Sequence, residues 1–199
     1  LKLLEEYYGK DHPEVATTLV NLGNAYGDLG QTHQQKALLK RALFTLEQQY
    51  GKKHIKVAKT LESLAIAYGA LGKAHKKKNL LKRAFKLLVE WYGNDHVEAA
   101  RILVNLGSTY SALGKVFKAK ELLKRALIIL EKYYGNDHVE TARALGNLAN
   151  AYGALGKAHK KKNLLKRALI ILEKYYGNDH PEVATTLVNL GNAYGDVGK

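Results

Sequence analysis

The chain has 199 residues, 46% hydrophobic and 25% charged, a balance that excludes a wholly disordered polymer. It has no cysteine, which excludes a disulfide framework, a Cys-based zinc site and a thiol nucleophile, and fits a reducing, cytoplasmic setting. The formal charge is +14 and uneven: 53–94 nets +8 while 11–52 nets zero, so a partner drawn by charge would feel the middle of the chain.

No apolar run approaches the roughly 20 residues that cross a bilayer, so no membrane span is expected. With Leu1 first and no methionine, the chain reads as a segment of a longer protein.

Residues 1–10 carry Leu1, Leu4 and Tyr8 ahead of Gly9 and read as the end of a helix. In the next stretch Val15, Leu19, Leu22, Tyr26 and Leu29 alternate steps of four and three, an apolar stripe on one helical face. Asp11-His12-Pro13-Glu14 has the spacing of a capping box, with proline in the first turn, where its missing N–H is harmless. Gly30 suits a left-handed cap. A second helix is predicted from near Thr32, carrying Leu38, Leu39, Ala42, Leu43, Leu46 and Tyr50 up to Gly51. A connection of about two residues makes the pair antiparallel.

The pattern then restarts. His12, His54, His96, His138 and His180 stand 42 residues apart, as do Tyr26, Tyr68, Tyr110, Tyr152 and Tyr194. The stretch His12–Asp28 returns letter for letter at His180–Asp196. The repeats are 11–52, 53–94, 95–136 and 137–178, followed by the first helix of a further repeat at 179–199. One hairpin cannot cover its own stripe, but stacking on the next one does. The expected fold is therefore all-α, a single array over 1–199 of antiparallel helix pairs. In the second repeat Lys53 and Lys56 replace acidic residues, so its first helix is expected to lack the capping box and to start less firmly over 55–60.

Leu19-x-x-Leu22-Gly23-x-x-Tyr26, with Ala42 in the second helix, resembles the tetratricopeptide repeat. The longer step, with "GKDHPEVATTLVNLGNAYGDLG" (9–30) and "LLKRALFTLE" (38–47), is similar to the repeats of kinesin light chains and their bacterial relatives. The resemblance covers essentially the whole chain. It implies a superhelical solenoid whose first helices line a concave groove for peptides, and no catalysis. The chain departs from the family at Gln35, Lys77 and Lys161, where a small alanine is usual and only Ala119 keeps it. The second helix is expected to start later there, or the hairpin to splay. Gly27, Gly69, Gly153 and Gly195, after the tyrosines, either widen the groove or relax the last turn.

Candidate chemistry is sparse. Equivalent histidines sit on successive layers about 10 Å apart, too far to share a metal, so the histidines read as structural and no metal site or cofactor is expected. The glycines match no phosphate loop, and no nucleophile stands beside a base, so the chain is not expected to be an enzyme.

The face opposite the apolar stripe is more informative. It carries Asn21 and Asn24, then Lys59, then Arg101, Asn105 and Ser108, then Arg143, Asn147 and Asn150, then Asn189 and Asn192. Asparagine is a poor helix former, and its amide can both donate to and accept from an extended peptide backbone. Lys59, Arg101 and Arg143 would favour a carboxylate on the ligand. The expected partner is a protein or peptide segment of acidic leaning; the plainer reading is a solvated stripe. The runs Lys76-Lys77-Lys78 and Lys160-Lys161-Lys162 open an alternative, an anionic surface or nucleic acid, although no aromatic interleaves with them to stack a base. A purely structural spacer is the third reading. Leu187, Leu190 and Tyr194 at one end, and the stub at the other, suggest head-to-tail self-association.

Overall fold

The computed structural model describes residues 1–198. Among them are ten α-helices and no strand: α1 (Lys2–Tyr8), α2 (Pro13–Asp28), α3 (Thr32–Tyr50), α4 (Ile55–Ala70), α5 (Ala74–Tyr92), α6 (Val97–Ala112), α7 (Val116–Tyr134), α8 (Val139–Ala154), α9 (Ala158–Tyr176) and α10 (Pro181–Val197). They fall into two compact units, Leu1–Asn94 and Asp95–Lys199. In the first, α2 packs on α3, α3 on α4 and α4 on α5; in the second, α6 to α10 follow the same neighbour-on-neighbour order.

The histidines, not the aspartates, start the first helices. His12, His54, His96, His138 and His180 are the N-caps of α2, α4, α6, α8 and α10, with extended backbone. Each Nδ1 accepts the backbone N–H two residues on, at 3.2 Å. That bond satisfies one of the orphan donors of a helix start, and it leaves the ring proton on Nε2. The rings of His12, His54, His138 and His180 also stack on the tyrosine four residues before, at 3.8–4.5 Å between centroids. The expected Asp–Glu capping box is thus replaced by an imidazole cap. The same correction reaches the second repeat, where His54 caps α4 despite Lys53 and Lys56.

The turn inside each hairpin uses glycine for a stated reason. Gly30 sits at φ 72°, and the Gln31 N–H reaches back to the Tyr26 carbonyl at 2.8 Å, which closes α2 in a left-handed cap. The following helix then starts at Thr32, as predicted.

The core is aliphatic and lies between helices. In the first unit Leu39, Leu64, Ala67 and Tyr68 form a cluster with Val20, Leu43 and Leu80 against it. In the second, Val139, Ala142, Leu145, Ala168, Ile171, Leu172 and Val183 join α8, α9 and α10, and Ala149, Leu165, Leu190 and Ala193 form a further layer. Truncating one such leucine to alanine costs about 2–5 kcal/mol, so each layer depends on a few side chains.

Arginines tie successive second helices together at their ends. Arg41 pairs with Glu5 at 2.6 Å, Arg83 with Glu47, and Arg167 with Glu131 at 2.6 Å. Arg41 and Arg83 also donate to the carbonyls of Lys10 and Lys52 in the intervening loops.

The departures at Gln35, Lys77 and Lys161 have a single physical explanation. The second helices do not start later. Instead, Gly27, Gly69 and Gly153 leave the space these long side chains occupy: a Cβ on Gly69 would lie 2.9 Å from Lys77 Cδ, and one on Gly153 2.8 Å from Lys161 Cδ. Gly27 stands in the same relation to Gln35. The third repeat inverts the pair, with Ser111 and Ala119 at these positions. Neither a widened groove nor a relaxed turn is needed to account for these three glycines, whereas Gly195 has open space around it.

Candidate functional site

The sequence-predicted asparagine face is distributed over both units. In the first unit a small cleft of about 150 Å³ lies between α2 and α4. Thr17, Val20 and Asn21 come from α2, Leu46 from α3, and Lys56, Lys59 and Thr60 from α4. The Thr17 hydroxyl donates to the Pro13 carbonyl and that of Thr60 to the Lys56 carbonyl, so both are spent on their own helices. Lys56 is also engaged, with Nζ 3.2 Å from the Tyr50 hydroxyl. The polar groups left around the apolar floor of Val20 and Leu46 are the Asn21 amide and the Lys59 ammonium, both on exposed residues. Asn24 is exposed one turn further along α2.

In the second unit the arginines are already committed. Arg101 pairs with Glu98 at 3.2 Å within α6. Arg143 donates to Glu140 at 3.0 Å, to both oxygens of Glu182 on α10 at 2.8 and 3.4 Å, and to the Tyr176 hydroxyl at 3.3 Å. The Glu182 hydrogen bonds hold the Arg143 guanidinium above its ordinary pKa, while partial burial pulls the other way. Four of its five N–H groups are therefore used inside the protein, and Arg143 acts as a clamp between α8, α9 and α10.

The asparagines of this unit differ in availability. Asn147 Nδ2 donates to the Arg143 carbonyl at 3.1 Å, which leaves its side-chain oxygen as the acceptor. The Asn105 backbone carbonyl takes the Thr109 hydroxyl at 2.6 Å, a bond that does not involve its side-chain amide. Ser108 and Asn189 are half-buried, whereas Asn150 and Asn192 are exposed.

The lysine runs are not a simple solvated edge. Lys76 Nζ lies 5.5 Å from the Tyr68 ring centre, and Lys160 Nζ 5.4 Å from that of Tyr152. No aromatic interleaves with the runs themselves; the tyrosine lies eight residues upstream and meets the lysines through the hairpin turn. Both rings are buried under the ammonium groups, so they offer no open face to a base. Lys77 and Lys161 turn inward. Burial lowers the pKa of Lys77, and Lys161 reaches Asp196 of α10 at 3.0 Å.

Sequence reasoning missed the histidine cap, the Arg–Glu ties and the Arg143 clamp. The recurring Lys-Arg pair at 40–41, 82–83 and 166–167, with Glu5, Glu47 and Glu131 one repeat earlier, was the available signal for the ties.

At one end, Leu187 and Tyr194 are half-exposed as expected, but Leu190 is buried. Among the described residues no group of three or more His, Asp or Glu is placed to hold a metal ion, and no helix is long and apolar enough to cross a membrane.

No curated protein matches the sequence. Among solved structures, the nearly identical TPR-like repeats of Podosopora anserina, provisionally assigned to a kinesin light chain, align with a TM-score of 0.77 at 24% identity. That alignment covers 94% of this chain and 89% of the other. BtubC (BKLC) from P. vanneervenii aligns with a TM-score of 0.80 at 22% identity, over 99% of this chain and 78% of its own. At these identities the likeness is one of fold, and it matches the helix-pair architecture described above. Models of the tetratricopeptide repeat match residues 15–55, 57–98 and 141–182, and a related model of the same repeat matches 98–160. Those segments take in well over half of the sequence, repeat by repeat, and on that evidence the chain belongs to the tetratricopeptide repeat family.

Proposed function

We infer that the chain is a non-catalytic scaffold that holds an extended, acidic-leaning peptide along the asparagine face of its first helices. Tetratricopeptide repeats generally mediate protein–protein interactions, and a cytoplasmic setting fits the cysteine-free composition. The observation that carries the reading is the cleft between α2 and α4. There an uncommitted amide, Asn21, and an ammonium, Lys59, stand beside an apolar floor of Val20 and Leu46. An amide can pair with a peptide backbone, a lysine with a carboxylate, and the floor can take one small apolar side chain. Because Arg101 and Arg143 are paired internally, the acidic preference rests chiefly on Lys59.

A peptide array sampling acidic and neutral sequences of equal length tests this. Acidic peptides are expected to bind, and Asn21→Ala with Lys59→Ala is expected to weaken them by about 1–3 kcal/mol for two lost hydrogen bonds, one of them charged. Equal binding of neutral peptides, or indifference to the double substitution, would defeat the reading.

A further inference from the structure

The second unit has another cleft, larger and on the opposite side of α8 from its asparagines. It is about 460 Å³ in volume and is formed by α7, α8 and α9. Leu127 and Ile128 of α7, Leu148 and Tyr152 of α8, and Leu164 of α9 make it apolar. Lys124 and Lys160 stand at its edge, and no carboxylate lines it. On α8, Leu148 and Tyr152 lie well over a quarter-turn from the helical face that carries Arg143, Asn147 and Asn150, since each residue advances about 100°.

Ile128 is the unexplained member. It is 66% exposed, although its helix needs no apolar residue there. The equivalent position in the second repeat is Lys86, whose side chain is 77% exposed, so a polar residue is compatible with the fold. Two periods upstream of Ile128 stands Phe44, itself 60% exposed. Around it the same residue types recur without exception: Leu43, Leu64, Tyr68 and Leu80, edged by Lys40 and Lys76. Leu43, Leu64, Tyr68 and Leu80 pack together in the first unit. Lys76 caps Tyr68 there as Lys160 caps Tyr152 in the second unit. The sequence thus keeps the residue set of this cleft, apolar positions with a lysine edge, twice, once in each unit.

The geometry points to a second docking surface on the outer side of the helix pairs, specific for an amphipathic peptide that inserts aliphatic anchors between flanking carboxylates. Charge complementarity selects this occupant. The cleft of α7, α8 and α9 has no open aromatic face and so gives a nucleic acid nothing to stack on, and a lysine edge with no carboxylate repels basic partners. The surface is independent of the asparagine face: it uses other residues and the other side of α8.

The test uses a short peptide carrying two leucines one helical turn apart between runs of glutamate, titrated into the whole chain and followed by NMR. The expected result is perturbation of the Ile128 and Phe44 side chains and two binding events per chain. Ile128→Lys, which copies Lys86, should remove one event; adding Phe44→Lys should weaken the remainder by about ten-fold or more, as loss of a buried apolar anchor requires. Circular dichroism of both variants confirms folding. The proposal is overturned if the same peptide with lysine for glutamate binds equally well. It is also overturned if oligothymidylate binds at these residues and is indifferent to both substitutions. Binding that survives both substitutions but is lost with Asn21→Ala would overturn it too, and would place the peptide on the asparagine face instead.

Discussion

Gly153 and Lys161 share one space: a Cβ on the glycine would lie 2.8 Å from Lys161 Cδ, and the lysine filling that space ends 3.0 Å from the Asp196 carboxylate. A helical glycine ordinarily costs about 1 kcal/mol against alanine, so this one is kept for the neighbour it admits.

The two residues should therefore be thermodynamically coupled. Gly153→Ala alone is expected to gain nothing, because it displaces Lys161 and its ion pair. In a Lys161→Ala background the same change should stabilise by about 1 kcal/mol, the ordinary helix preference. Denaturant titration of the four species measures the coupling; a value near zero would show that the glycine is not there for the lysine.

The imidazole caps make a separate prediction. His138→Ala should destabilise the second unit by about 1 kcal/mol, and His138→Asn should restore most of it, since asparagine is a strong N-cap. His54→Ala should cost a similar amount in the first unit, because the bond has the same length there. Hydrogen exchange at 55–60 and 139–144 follows both. If His54→Ala were silent, the flanking Lys53 and Lys56 would have to have replaced the cap.

Arg143 holds α10 in place through Glu182. Arg143→Ala should speed amide exchange over 181–186 and lower stability by about 0.5–1 kcal/mol, the usual scale for a partly exposed pair. Arg143→Lys should not rescue it, because an ammonium cannot make the forked contact with both Glu182 oxygens. Full rescue by lysine would mean that charge alone matters.

Lys77 gives a pH prediction. Burial lowers its folded-state pKa below the ordinary value of 10.5. The folded chain thus binds that proton less readily than the unfolded chain, so the penalty is present at neutral pH. It fades as pH rises through the folded pKa towards the unfolded one. Lys77→Met should be more stable than the parent near pH 7, with the gap closing under alkaline conditions. A gap that widens with pH would contradict the sign.

Much of this architecture was legible in the sequence because it repeats. The period fixed the helix pairs, and the turn glycines marked where α2 and α3 meet. The structural role of the histidines could also be read, because equivalent side chains a layer apart cannot converge. Their identity as caps could not: Asp11-x-x-Glu14 has the spacing of a better-known device, and only the backbone conformation at His12 decides between them. The partnership of Gly153 with Lys161 was half visible, as a glycine and a long side chain eight residues apart in three repeats, inverted to Ser111 and Ala119 in another. What spacing could not supply was the turn geometry that brings the two into contact. Arg143 illustrates the other limit. Its place on the asparagine stripe was readable, but its pairing with Glu182 spans 39 positions and depends on how α8 and α10 stand around α9.

The glycine–lysine pairing also bears on how such an array can be copied. Both members lie within one hairpin, eight residues apart, so a recombination event that exchanges whole hairpins carries the matched pair intact. A crossover with the third repeat inside the turn between Gly153 and Lys161 would instead join serine to lysine or glycine to alanine, leaving a clash in one product and a void in the other. Recombinants in which whole hairpins change places keep this packing, and those that join the third repeat to the fourth between positions 153 and 161 lose it. The turn is thereby a place in the repeat where packing limits where a duplication can be cut.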